Sequence, residues 1–248
     1  MKLQILSDLH LEHHRDVGES LIASLDFSGA DVVVLAGDIV GFGGSRQTAA
    51  GKIRSLCSKA AGSVIYIPGN HEYYGTSPAD VDRSVVTLDR EIDNLTVLSS
   101  GVIHEQDGHR VLGDTLWFPD DPLNLLYAPG MNDFALIKGF VPWVYERNDA
   151  CRAFLEQELL QGDIVVTHHL PSPSLIGRPF VGSPLNRFFA ADLTDLILDR
   201  KPALWICGHT HLSIDTTIGK TRILCNPFGY PTERQCLMFN PRLFVEVL

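Results

Sequence analysis

The sequence contains no Cys-x-x-Cys pair, and its five cysteines (Cys57, Cys151, Cys207, Cys225 and Cys236) are scattered and odd in number. That argues against a disulfide frame and against a closed cysteine zinc site, and reads as buried free thiols in a reducing compartment. No apolar run is long enough to cross a bilayer, and no basic stretch leads into an apolar core behind Met1. Neither a membrane span nor a leader is therefore expected, and the expected location is cytoplasmic. Positive charge is scarce: 20 Lys and Arg stand against 30 Asp and Glu, a formal net charge of −10. Such a balance works against long nucleic acids, but it leaves room for a small phosphate ester, because bound cations can supply local positive charge. Linkers, internal repeats and low-complexity tracts are also absent. With 45% hydrophobic residues, the 248-residue chain is expected to build one domain spanning 1–248.

What is present is an alternation of short β-branched runs and helical stretches. Strands are predicted over 2–7, 31–36, 63–67, 163–167 and 203–207, and helices over 46–61, 78–94, 146–160 and 190–199. Gly62 is read as a helix end and Ser77 as an N-cap before Pro78. The finish is β-rich: 214–218, 221–225, 236–240 and 243–247, with Gly219-Lys220 and Pro241-Arg242 as the turns of two hairpins. An α/β first half and a β-rich end predict an α/β fold of two packed sheets with helices outside. Two irregular segments, 117–145 and 171–189, are read as binding loops or lids.

Five polar clusters follow apolar strands: Asp8-Leu9-His10, Gly37-Asp38, Gly69-Asn70-His71-Glu72, Thr167-His168-His169 and Gly208-His209-Thr210-His211. In open α/β sheets, ligands gather beyond the carboxyl ends of strands, so these loops are expected to share one rim. Carboxylate, amide oxygen and imidazole together suit divalent Mn, Fe or Zn. Asp8 and His10, and likewise His209 and His211, are two apart, which on extended chain points both side chains the same way. So many donors exceed the needs of one open catalytic ion. Two ions about 3.5–4 Å apart can activate a water and clamp phosphate oxygens.

In this order the clusters resemble the calcineurin-like metallophosphoesterase superfamily, over residues 8–211. Pro68-Gly69-Asn70-His71-Glu72-Tyr73-Tyr74, Asn132-Asp133-Phe134, Thr167-His168-His169-Leu170-Pro171-Ser172 and Asn226-Pro227-Phe228-Gly229-Tyr230 are similar to a subgroup of small bacterial cytosolic members. The resemblance implies a four-layer αββα sandwich of two mixed β-sheets, with a di-metal site at the strand C-terminal ends. It implies Asp8, His10, Asp38 and His211 on one metal, and Asp38, Asn70, His168 and His209 on the other, with Asp38 bridging. It implies His71 off the metals, facing the substrate, as general acid or electrostatic stabiliser of the leaving alkoxide. His169 competes with His168 for the ligand role, and the motif favours His168.

Other residues carry weaker readings. Glu72 is read as structural, pairing with a basic group or capping the following helix, and His13 and His14 as lying on an exposed loop or helix start. Arg178 and Arg187 are read as solvent-exposed rather than phosphate clamps, Trp117, Trp143 and Tyr127 as packing, and 226–230 as turn architecture. Protein phosphatases of the superfamily carry one arginine soon after the bridging Asp and another before the Asn-His pair; both are missing here. Also missing is the acidic residue three positions after the bridging Asp that pairs with the catalytic His, where Gly41 stands. The expected activity is a phosphodiesterase or relaxed phosphoesterase acting on a small phosphate ester with two divalent metal ions. The alternatives are a phosphomonoesterase or protein phosphatase, and a non-catalytic metal-binding scaffold of the same fold.

Overall fold

A computed structural model describes residues 1–247. One sheet is built from β1 (Lys2–Leu6), β2 (Val32–Ala36), β3 (Ser63–Ile67) and β4 (Leu95–Val97), all parallel, with β11 (Phe244–Glu246) antiparallel to β1 at the edge. The other takes the order β5 (Ile103–Gln106), β6 (His109–Asp114), β7 (Ile164–Thr167), β8 (Leu204–Cys207), β10 (Thr221–Cys225) and β9 (Ile214–Ile218). Its central strands are parallel and both edge strands antiparallel, so both sheets are mixed, as predicted.

The period-2 pleat explains why these strands read as unbroken apolar runs. Leu3, Ile5, Val32, Val34 and Ile65 face Val111, Ile164, Val166 and Leu204 between the sheets. Their neighbours Val33, Leu35, Val64 and Tyr66 point outward against Ile53, Leu56 and Cys57 of α2 (Arg46–Lys59) and Val81, Val85 and Leu88 of α3 (Pro78–Glu91). On the far side, Val165, Trp205 and Ile223 pack on Cys151 and Leu155 of α6 (Phe140–Glu158) and Ile197 of α7 (Thr194–Arg200). The layers run helix, sheet, sheet, helix. Three short helices complete the α set: α1 (Glu19–Ser24), α4 (Asn124–Tyr127) and α5 (Asn132–Leu136).

Several expectations need correction. Residues 236–240 form no strand: Arg234–Met238 is a 3-10 turn with Leu237 and Met238 exposed, so the predicted hairpin at Pro241-Arg242 does not exist and β11 pairs with β1 instead. Helix α7 begins at Thr194 rather than 190, because Ala191 and Leu193 donate backbone hydrogen bonds to Leu170 and Pro171. Helix α6 begins at Phe140, earlier than predicted, with extended backbone at Val141. Gly62 closes no helix; its missing Cβ leaves room for the carbonyl of Asp31. Strands β4, β5 and β6 were not predicted. Of the cysteines, four are buried, Cys236 is half-buried, and all are free. No helix among the described residues is long and apolar enough to cross a membrane.

Candidate metal centre

The five loops leave the C-terminal ends of β1, β2, β3, β7 and β8 and meet at one rim. Their local geometry is not the extended chain expected from the two-residue spacing. Asp8, His10, Asp38, His209 and His211 all have φ between 44° and 67°, in the left-handed region. For residues with a Cβ this costs about 1–2 kcal/mol each, and such strain concentrates at functional sites. Cross-loop bonds hold it in place. The Asp8 and His10 amides donate to the carbonyls of Gly37 and Asp38, both at 2.9 Å. Asp8 Oδ1 accepts from the His209 amide (2.9 Å), and Asp38 Oδ1 accepts from the His71 amide (2.8 Å). Asp38 thus spends Oδ1 on the fold and keeps Oδ2 for the cleft, whereas Asp8 turns the same Oδ1 toward His211 Nε2 (3.7 Å).

The donor groups converge. Asp8, His10 and His211 bring donor atoms within 4.8 Å of one another, and so do Asp38, His168 and His209. Asp38 Oδ2 lies 3.3 Å from His168 Nε2 and 3.8 Å from His10 Nε2, so it stands between the two groups. His10 Nε2 and His211 Nε2 are 2.9 Å apart, and Asn70 Oδ1 is 3.2 Å from His168 Nε2. Glycine makes this approach possible. A Cβ on Gly37, which has φ +85°, would run into the His168 ring, and one on Gly69 into the Asp38 carboxylate.

The donors are aimed by partners behind them. His168 Nδ1 faces the Ala36 carbonyl (2.9 Å), which can only accept, so the proton sits there and Nε2 is presented to the cleft. His211 Nδ1 donates to Glu233 (2.7 Å), leaving Nε2 inward. The Asn70 amide nitrogen donates to Asp133 Oδ1 (2.9 Å), which turns its oxygen inward. Glu72 accepts from the amides of Asp38 (3.0 Å), Ile39 (2.8 Å) and Gly69 (2.8 Å) and from the Tyr66 hydroxyl (2.9 Å), tying two donor loops together. It is structural, as expected, but through these amides rather than through a basic partner or a helix cap. Burial and the Asp38 charge push its carboxyl up to about 7 against the pull of those donors.

The residues fit divalent cations. Asp8 Oδ2 and His209 Nε2 are buried without a hydrogen-bond partner, which is costly unless something binds them. Burial disfavours charge on Asp38, yet the imidazoles of His168, His71 and His10 hold it well below the usual carboxylate range. Burial likewise opposes a charged His168, but the Asp38 carboxylate raises its proton affinity, so this place favours positive charge. Burial lowers His10 and drives His209 well down, keeping them neutral as ligands require. The donors, all oxygen and imidazole, suit ions of intermediate hardness.

Not every candidate reaches the rim. His169 is buried behind it, its ring 4.3 Å from that of His209 and 5.1 Å from that of Trp117, and burial lowers it to about 3. His14 bonds the Leu9 carbonyl and is half-buried, whereas His13 is exposed. Arg187 is not free in solvent: it pairs with Asp121 (2.9 Å) and stacks over Tyr127, stapling the two irregular segments together, while Arg178 is exposed. Trp117 is fully buried, as expected of a packing residue. The 226–230 turn does support the site, since Phe228 and Gly229 donate to the carbonyls of Ser7 and Asp8. It also does more, because the Tyr230 hydroxyl lies 2.9 Å from His71 Nε2. Sequence reasoning missed Tyr230 and Glu233 as cleft residues and Glu12 as a neighbour of His71, and gave Asp133 no role.

Asp133 yields a direct expectation. Asp133→Ala leaves the Asn70 amide nitrogen only the Tyr74 hydroxyl (3.0 Å), which itself loses its acceptor in Asp133 (2.6 Å), and should lower metal affinity about 10–100-fold, the usual effect of losing such an outer partner. Competition titration against a chelator measures it, and wild-type affinity would show that Asn70 is held some other way.

The cleft has a volume of about 300 Å³ and is walled by His71, Tyr74, Tyr230 and Thr210, with Met131 and Phe180 contributed by the two irregular segments. Beyond Phe180, Phe189 and Thr210 it adjoins an apolar pocket of about 190 Å³ lined by Ile176 and Leu185.

Comparison with known proteins agrees with this geometry. A family model described as calcineurin-like phosphoesterase matches residues 1–213. An uncharacterized protein of Acanthamoeba polyphaga mimivirus, L509, is 28% identical over 99% of this chain and 96% of its own. The crystal structure of phosphopantetheinyl hydrolase from Mycobacterium tuberculosis superposes with a TM-score of 0.73 at 21% identity, covering 96% of this chain and 92% of that one. The protein TT1561 of Thermus thermophilus gives 0.56 at 16% identity, covering 91% and 88%. At these identities the two structures speak for the fold.

Proposed function

The chain belongs to the calcineurin-like phosphoesterase family and is a metal-dependent phosphoester hydrolase, and from that premise we propose that residues 1–248 form one domain that hydrolyses a small phosphodiester. The observation that carries the site assignment is Asp38 Oδ2, which faces both donor groups at once. Asp8, His10, Asp38 and His211 would hold one divalent ion; Asp38, Asn70, His168 and His209 would hold the other. When bound, the two ions would acidify a water and neutralise phosphate oxygens. The chain's own residues do the rest. His168, His211 and Asn70 present fixed lone pairs because Ala36, Glu233 and Asp133 hold their other ends. His71 lies on the cleft wall with Nε2 beside the Tyr230 hydroxyl, and gives its proton to the departing alkoxide.

Two features favour a diester. The family's arginine positions are empty in this sequence, and no Lys or Arg lines the cleft among the described residues. A monoester dianion gains more from such cations than a diester monoanion does. The adjoining apolar pocket also offers room for a second ester substituent. Metal-stripped protein with Mn²⁺ restored should cleave bis-p-nitrophenyl phosphate with a higher kcat/KM than p-nitrophenyl phosphate. Faster turnover of the monoester, or of phosphoserine peptides, would overturn the diester reading. The name of the Mycobacterium tuberculosis neighbour puts a phosphopantetheinyl ester among the diesters to include.

A further inference from the structure

At Gly41 the acidic residue expected three positions beyond the bridging Asp is missing, yet His71 does not lack a carboxylate. Glu12, in the 3-10 turn Leu11–His13 that follows the first donor loop, places Oε1 3.4 Å from His71 Nδ1. Its Oε2 accepts from the Gly41 amide at 3.1 Å. A Cβ built on Gly41 would stand 3.6 Å from the Glu12 carboxyl carbon, so Glu12 fills the space into which a side chain at 41 would project. A carboxylate from a different donor loop thus stands beside the imidazole.

We infer that Glu12 is the positioning carboxylate of His71: it accepts the Nδ1 proton and fixes the ring so that Nε2 carries its proton toward the leaving oxygen. The inference rests on the reading of His71 as proton donor. The surroundings are compatible with it. Glu12 also faces His10 Nδ1 at 3.8 Å and the exposed His13 Nε2 at 3.7 Å, and no other carboxylate faces His71 Nδ1 among the described residues. The bland alternative is that Glu12 merely anchors the Gly41 backbone through Oε2.

Leaving-group dependence separates the two. A proton donor matters little when p-nitrophenolate departs and much when unsubstituted phenolate, with a pKa of about 10, departs. Wild type, Glu12→Gln, His71→Ala and the double variant are compared, Mn²⁺-loaded, on bis-p-nitrophenyl and diphenyl phosphate. Glu12→Gln keeps an oxygen for the Gly41 amide. It should lower kcat about tenfold or more on diphenyl phosphate and less than about threefold on the nitrophenyl diester, with KM and metal content unchanged. In the His71→Ala background it should cost nothing further. Equal loss on both substrates, or losses that multiply in the double variant, would show that Glu12 only anchors the loop. A steep His71→Ala with a flat Glu12→Gln removes the Glu12 assignment alone. A flat His71→Ala removes both readings together.

Discussion

Asp38→Asn should lower turnover by at least about 10³-fold, well beyond the 10–100-fold cost of losing an outer partner, and should strip the protein of tightly bound metal. The substitution keeps the shape of the side chain. The amide oxygen can still accept from the His71 backbone N–H, as Oδ1 does now at 2.8 Å. The new NH2 would then replace Oδ2, which faces His168 Nε2 and His10 Nε2. The His168 imidazole, neutral without the carboxylate charge and protonated at Nδ1, can accept from it. The metal-free variant should therefore fold with near wild-type stability. The bridging negative charge is lost, and a donor points at each place a cation would take. Chemical denaturation of the metal-free protein, elemental metal analysis and diester hydrolysis read the three consequences separately. Retained metal with lost activity would mean that Asp38 does not join the two groups. A collapse of stability would mean that its main role lies in the fold.

This central carboxylate was legible in the sequence because its loop follows an unmistakable buried strand. Val32–Ala36 is apolar without a break, and Gly37-Asp38 follows at once. The same holds for the loops after β1, β3, β7 and β8. Strands buried on both faces write their position plainly, and ligands gather at their carboxyl ends. The residues that aim the donors were not legible in the same way. Glu12, Asp133, Tyr230 and Glu233 are set by tertiary contact across spans such as the 63 residues between Asn70 and Asp133, or the 159 between His71 and Tyr230. A lone glutamate or tyrosine in a turn carries no local sign of such a partner.

Local backbone was harder still. The pairing of Asp8 with His10 was read through extended-strand alternation, but left-handed turns achieve it, and periodicity carries no signal for those. The β5–β6 hairpin had a usable sign in Asp107-Gly108, both with positive φ, flanked by polar strands too weakly alternating to stand out. Residues 236–240 erred in the other direction. Their apolar content looked like a strand, but only tertiary structure decides that Leu237 and Met238 lie at the surface while Asn226 holds the Asn240 backbone.

His71→Ala should slow the chemical step by about 10²–10³-fold with a poor leaving group while leaving metal content close to wild type. The reason lies in which atoms the substitution removes. The link from residue 71 to the donor loops is its backbone N–H on Asp38 Oδ1, and alanine retains it. The ring's polar contacts are to Tyr230 through Nε2 and Glu12 through Nδ1, neither of them among the proposed metal-holding side chains, and it meets the His10 and Tyr74 rings (centroids 4.4 and 4.2 Å away) by packing alone. Burial works against a protonated ring, but Asp38 and Glu12 raise its affinity for the proton above that of an ordinary imidazole. Cations held by Asp38 would oppose that rise, so the wild-type kcat profile should carry an alkaline limb whose position the Mn²⁺-loaded enzyme sets. That limb should disappear in the alanine variant. Set beside Asp38→Asn, the outcome assigns the two residues to different tasks: one variant loses metal and rate together, the other loses rate alone. Equal metal loss in both would place His71 within the metal-holding set and end its assignment as the proton donor.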